Sequence, residues 1–117
     1  MDGIRRYGNS SRWADVVVHR GVAYWVEVAE EMSLDIRGQI AQVFAQIDAM
    51  LEMLQSDRTR LLQVLVYIAD LSDAEVLNEL WDAWVPAEHP PVRAMVQVGL
   101  GKACKVEMVV TAAVPEV

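Results

Sequence analysis

The chain has 117 residues, 54% of them hydrophobic, and a formal net charge of −7 from 17 acids and 10 basic side chains. That size suits one domain over residues 1–117 with its own core, while the acidic balance, with no basic cluster beyond Arg5-Arg6, argues against a nucleic-acid partner. No apolar run approaches the ~18 residues of a membrane helix, no signal-peptide core is visible at the start, and a lone Cys104 permits no internal disulfide, which together fit the cytoplasm and no membrane partner.

Ile4 to Tyr7 reads as a short first strand, followed by a loop over Gly8 to Ser11. Trp13 to His19 and Val22 to Val28 read as antiparallel mates joined by Arg20-Gly21. From Leu34 to Leu54 the apolar residues Ile36, Ile40, Val43, Phe44, Ile47, Met50, Leu51 and Leu54 fall at three- and four-residue steps, which predicts a helix. Ser33 is its expected N-cap, and Arg37, Gln42, Gln46 and Glu52 occupy the opposite face. After a turn over Gln55 to Thr59, Leu61 to Ala69 reads as a buried strand.

The second helix carries the clearest boundary signals. Ser72 and Glu75 have capping-box spacing, with Leu71 and Val76 at staple positions. Val76, Leu77, Leu80, Trp81, Trp84 and Val85 form its apolar stripe, and Pro86 stops it. Pro90 to Leu100 and Lys105 to Ala113 read as two strands joined by a turn at Gly99 to Lys102. The order β-β-β-α-β-α-β-β predicts an α+β fold: a mixed sheet with two helices on one face. Val16-Val-Val18 and Leu65-Val-Tyr-Ile68 are apolar on both faces and mean hydropathy is +0.19. The second face therefore calls for another subunit, so an oligomer is expected.

Arg93 is the most informative residue. It interrupts an apolar strand, where an unpaired buried guanidinium costs several kcal/mol. Either a protein carboxylate neutralises it or a ligand does. If residues 90–113 close as a hairpin about residue 101, Met95 faces Glu107, and Arg93 lies diagonal to Glu107 at roughly 7–8 Å. That gap would hold a small carboxylate and one water.

Pro91-Val-Arg93 and Lys105-Val-Glu107, with Ala-Asp-Leu-Ser-Asp over 69–73 and Asn78-Glu-Leu-Trp-Asp-Ala-Trp84, resemble the RidA/YjgF (RutC-like) family of reactive imine and enamine deaminases. Arg12-Trp13, Ala45-Gln-Ile-Asp-Ala49 and Trp81-Asp-Ala-Trp-Val85 resemble its short, YoaB-like branch. The resemblance runs from about Arg12 to Ala113. It implies a chorismate-mutase-like fold, a homotrimer around a central barrel, and ligand clefts between subunits. It also implies cofactor-free, metal-free hydrolysis of 2-imino or enamino acids to 2-keto acids and ammonia. The arginine matching Arg93 would grip the substrate carboxylate, and the glutamate matching Glu107 would position or activate water. Asn78, Trp13 and Met95 would lie near the cleft.

Three residues depart from the family pattern. Met95 stands where many relatives have Cys, and Trp13 where longer members have Tyr. Glu27 stands where a small residue, often Gly, lines the cleft. Glu27 leaves three outcomes open: it pairs with Arg93 and blocks carboxylates, it shifts preference toward neutral or cationic ligands, or it points elsewhere. Blocking would make the protein a non-catalytic trimer that binds a small metabolite. A ribonuclease or translation-inhibitor role is disfavoured by the acidic balance and the lack of a ribonuclease-type His pair. Without the resemblance, Arg93 reads as a structural ion pair and Glu107 as a solvated strand residue. Asn78 then reads as an exposed helix position, and Trp25, Trp81 and Trp84 as packing residues. His19 and His89 do not suggest a metal site.

Overall fold

The computed structural model describes residues 3–116. Its strands are β1 (Arg5–Tyr7), β2 (Val16–His19), β3 (Val22–Val28), β4 (Leu61–Ile68), β5 (Val92–Gln97) and β6 (Val106–Ala113). Its helices are α1 (Ile36–Met53) and α2 (Ala74–Trp84). The strands form one mixed sheet in the order β1-β2-β3-β6-β4-β5.

Period-two burial defines the two sheet faces. Val64, Val66 and Ile68 of β4 and Val106, Met108, Val110 and Ala112 of β6 are fully buried. They pack with Ile40, Val43, Ile47 and Leu51 of α1 and Leu77, Trp81 and Trp84 of α2. Both helices thus cover one face, as the element order predicts. The other face leaves Tyr24 and Val26 about half exposed.

Local signals hold with some corrections. Arg20 (φ 52°) and Gly21 (φ 77°) both take left-handed backbone, the turn that matches hairpin twist between β2 and β3. The N-cap of α1 is Asp35 rather than Ser33: its Oδ1 accepts from the Gly38 amide at 2.8 Å. The capping box does not form. Asp70 caps a short 3-10 turn over Leu71–Asp73 by accepting the Ser72 amide at 2.9 Å. Ser72 is therefore already inside a turn, and α2 begins at Ala74 without a side-chain cap.

The largest correction concerns the last two strands, which do not pair. β5 runs parallel to β4, with Val64 beside Arg93 and Val66 beside Met95. β6 inserts between β3 and β4, antiparallel to both. Burial explains the choice. β6 buries every second residue and belongs at the sheet centre. β5 leaves Val92 and Val96 exposed and carries a charge, so it takes the edge.

The 98–105 connection is fastened by a residue that the apolar pattern overlooks. Gln39 is fully buried. Its Nε2 donates to the carbonyls of Met32, Leu34 and Ala103 at 3.0–3.1 Å, and its Oε1 accepts from the Lys105 amide at 2.9 Å. One amide thereby ties two loops to α1 just ahead of Glu107. Gln39→Leu would strand several backbone groups away from water. Each such loss costs about 1–3 kcal/mol, so we expect a net loss of about 3 kcal/mol by urea unfolding. A loss near zero would show that the loops rearrange freely.

Candidate functional site

The expected site residues fall into two groups. The first is built on the exposed edge strand. Val64, which flanks Arg93, points into the core, so Arg93 emerges on the helix-covered face at its rim. Its Nη1 donates to Asn78 Oδ1 of α2 at 2.9 Å, and its guanidinium carbon lies 5.0 Å from the Trp81 ring centroid. Trp81 is itself wedged among Phe44 and Trp84, with ring centroids 6.2 and 5.8 Å away. An aromatic floor and a neutral amide thus hold the cation, a contact worth about 1 kcal/mol. Among the described residues no carboxylate forms a salt bridge with Arg93; the ion pairs there are Arg37–Glu79 and Arg58–Asp48. Met95, two residues along the same face, packs partly against the core.

The second group lines a cleft of about 710 Å³ at the other end of the sheet. Trp13, Glu27 and Glu107 line it with Asp15, Glu30 and Met50, Glu27 from the helix-covered side of β3, where it pairs with the buried Met108, and Glu107 from the other. Glu107 lies between Val28 of β3 and Tyr67 of β4. Its chain neighbours Val106 and Met108 are buried toward the helices, so Glu107 points to the uncovered face. Trp13 is 65% exposed and stands free on the cleft wall.

Glu27 is anchored from α1. Gln46 Nε2 donates to Glu27 Oε1 at 3.0 Å and to the Val28 carbonyl at 2.7 Å, while Gln46 Oε1 accepts the Glu30 amide at 3.0 Å. Burial raises the Glu27 carboxyl above the ordinary range, opposed by the Gln46 hydrogen bond. The buried Trp25 indole N–H has no hydrogen-bond partner, yet lies close enough to favour the charged form of Glu27. Gln46, expected on a solvated face, instead sets this carboxylate; the signal available was its three-residue offset from Val43 on the core stripe. Trp81 as the support of Arg93 was also not anticipated.

The hairpin register that brought Arg93 diagonal to Glu107 is overturned. Within one chain they lie on opposite faces of the sheet, with β4 between their strands. Glu27 does not meet Arg93 either, because β6 and β4 separate β3 from β5. One chain therefore presents a cation with no ion-pair partner among the described residues at the β5 edge and a carboxylate-lined cleft beside β3 and β6. Among the described residues no group of three or more His, Cys, Asp and Glu side chains could hold a metal ion. Among the same residues no helix is long and apolar enough to cross a membrane. Cys104 is buried, and burial pushes its thiol pKa up.

A six-stranded mixed sheet backed by two helices defines an α+β class shared by many solved proteins. Residues 2–114 match the family model described as endoribonuclease L-PSP. The chain is 42% identical over 112 residues to the RutC family protein YoaB of Escherichia coli K12, covering 95% of this chain and 98% of that protein. A YjgF family member from Neisseria meningitidis superposes with TM-score 0.89 at 32% identity, covering 99% of this chain and 98% of that one. RidA from an Antarctic Psychrobacter superposes with TM-score 0.82 at 25% identity, covering 97% of this chain and all of that one. The chain belongs to the RidA/YjgF/RutC family.

Proposed function

We propose that the protein is a hydrolase that deaminates reactive 2-imino and enamino acids to 2-keto acids and ammonia, at clefts between copies of a cytoplasmic homotrimer. One observation carries the reading. The Arg93 guanidinium is held by Asn78 and Trp81 but neutralised by no carboxylate among the described residues. With Nη1 engaged by Asn78, the Nε/Nη2 edge is left for a bidentate carboxylate. Glu107 from a neighbouring copy would accept a proton as water adds to the imine carbon. That proton passes to the nitrogen to give a carbinolamine; the hydroxyl proton then travels through the same carboxylate to the amine, and the C=O bond forms as the C–N bond breaks and ammonia leaves. The imine carbon is already electrophilic, so orientation and one proton-transfer group suffice. The exposed Tyr24 and Val26 of the uncovered face and Val92 and Val96 of the edge strand supply apolar area for such contacts.

The test generates 2-iminopropionate with an amino-acid oxidase and follows its capture by semicarbazide. The protein should slow capture. Capture left unchanged across several imino acids would reject the reading.

Glu27 supports a second reading, a trimer that binds a metabolite without turning it over. Glu27 lines the same cleft as Glu107, from the helix-covered side, and a neighbour's Arg93 reaching that rim would pair with it. The pH dependence of Glu27→Gln separates the two. With burial dominant, the folded carboxyl has a pKa above its unfolded value near 4.5. The folded state then binds more protons, so stability falls as pH rises from the unfolded to the folded pKa, and the cost persists above. Glu27→Gln removes that cost and should melt higher than the parent at neutral pH, with the gap closing toward pH 4. A variant that melts lower at neutral pH would instead mean that Glu27 is paired with a cation in the assembly, favouring the blocked site.

A further inference from the structure

The segment from Gly3 to Ala14 carries Arg5, Arg6 and Arg12 and no acid, in a chain of net charge −7. Its fold gives this local reversal a shape. Arg6 pairs with Val17, on the face opposite the buried Val16 and Val18, so it projects to the uncovered side. There Arg6 and Arg12 line a pocket of about 380 Å³ with the hydroxyl-bearing Ser10 and Ser11 and the rings of Tyr7 and Trp13. Among the described residues no carboxylate lines it. Neither guanidinium has an ion-pair partner among the described residues. The serines offer hydroxyl donors, although Ser10 Oγ already accepts the Arg12 amide at 3.0 Å.

The pocket adjoins the main cleft, since Trp13 and Ala14 line both. Trp13 is thus a shared wall between two spaces of opposite character. On one side stand Asp15, Glu27, Glu30 and Glu107, which repel an anion. On the other stand two uncompensated arginines, whose planar forks suit carboxylate or phosphate. A ligand lying along the Trp13 ring would be drawn to place a distal acidic group among them.

We propose that the pocket between β1 and the 8–14 loop is an anion subsite that takes the distal carboxylate of a dicarboxylic imino acid. The proposal rests on the deaminase reading of the main cleft and narrows its substrate class. Two arginines lining one pocket can hold one carboxylate with charge-assisted bonds, so the second acid group should tighten binding at least tenfold, the order of one such contact.

Calorimetry on the full chain would compare 2-oxoglutarate with 2-oxobutyrate, keto acids that differ chiefly in the distal carboxylate. The unaltered protein should bind 2-oxoglutarate about tenfold more tightly or better, and Arg6→Gln/Arg12→Gln should bring the two acids to similar affinity. Equal affinities in the unaltered protein, or a preference that survives both substitutions, would overturn the subsite. So would binding of inorganic phosphate through the two arginines with no preference for 2-oxoglutarate, which would mark a site for free phosphate. Turnover of monocarboxylic imines without a dicarboxylate preference removes the subsite alone. Failure to bind either keto acid, with no imine hydrolysed, removes the cleft reading as well.

Discussion

Arg93→Ala should lower kcat/KM toward a 2-imino acid by about 100-fold or more while leaving the fold intact. The magnitude follows from the contact it removes. A desolvated, bidentate guanidinium–carboxylate pair loses roughly 2–5 kcal/mol when one partner is truncated, and 2.7 kcal/mol is about 100-fold. The structural loss is smaller. Arg93 sits on an edge strand and contributes one hydrogen bond to Asn78 and one stacking contact on Trp81, together about 1 kcal/mol. A shift in melting temperature of about 5 °C is therefore expected for a chain of this size. Arg93→Lys keeps the charge but loses the planar fork and the fit to Trp81, so it should fall between the two. Asn78→Ala should act mainly on substrate affinity, because it frees the guanidinium to rotate. Retention of full activity by Arg93→Ala, measured by semicarbazide competition, would take Arg93 out of the mechanism.

The same arginine shows how far the sequence can be read. A cation within an apolar strand is visible as a local anomaly, and its lack of a partner carboxylate among the described residues is the outcome that supports the ligand reading. The helices were equally legible, since Ile40, Val43, Ile47 and Leu51 repeat at helical spacing and all four are buried. Element type depends on local periodicity, which the sequence displays directly.

Strand order depends on comparison between distant segments. Adjacent strands with a turn-like link favour a hairpin by proximity, yet β6 buries both flanks and β5 does not. That difference, spread over Val92, Val96, Val106, Met108 and Val110, sends β6 to the centre and β5 beyond β4. Strand order in turn decides the site, because pairing sets which face a side chain shares with which. Glu27 could not be placed from its own strand either. Its position is set by Gln46 from α1, nineteen residues away in the chain, through a polar contact that no hydrophobic pattern encodes. Gln39 escapes in the same way.

Separation of Arg93 and Glu107 onto opposite faces leads to a sharper expectation than either single variant. If the working pair forms only between copies, Arg93→Ala and Glu107→Gln damage different halves of each cleft. Each variant alone should be nearly inactive. Co-refolded in equal amounts, they should regain activity, because some clefts receive an intact Arg93 from one copy and an intact Glu107 from the next. In a ring of identical head-to-tail contacts with random mixing, about a quarter of the clefts have that composition. Activity should therefore rise from near background to about a quarter of the unaltered level. Native mass spectrometry would verify that mixed oligomers formed. If they form and activity stays at the level of the parents, no cleft draws on two copies. One chain cannot bring these two side chains to a common ligand, because β4 and the thickness of the sheet lie between them, so a shared catalytic role for Arg93 and Glu107 would fall with that result.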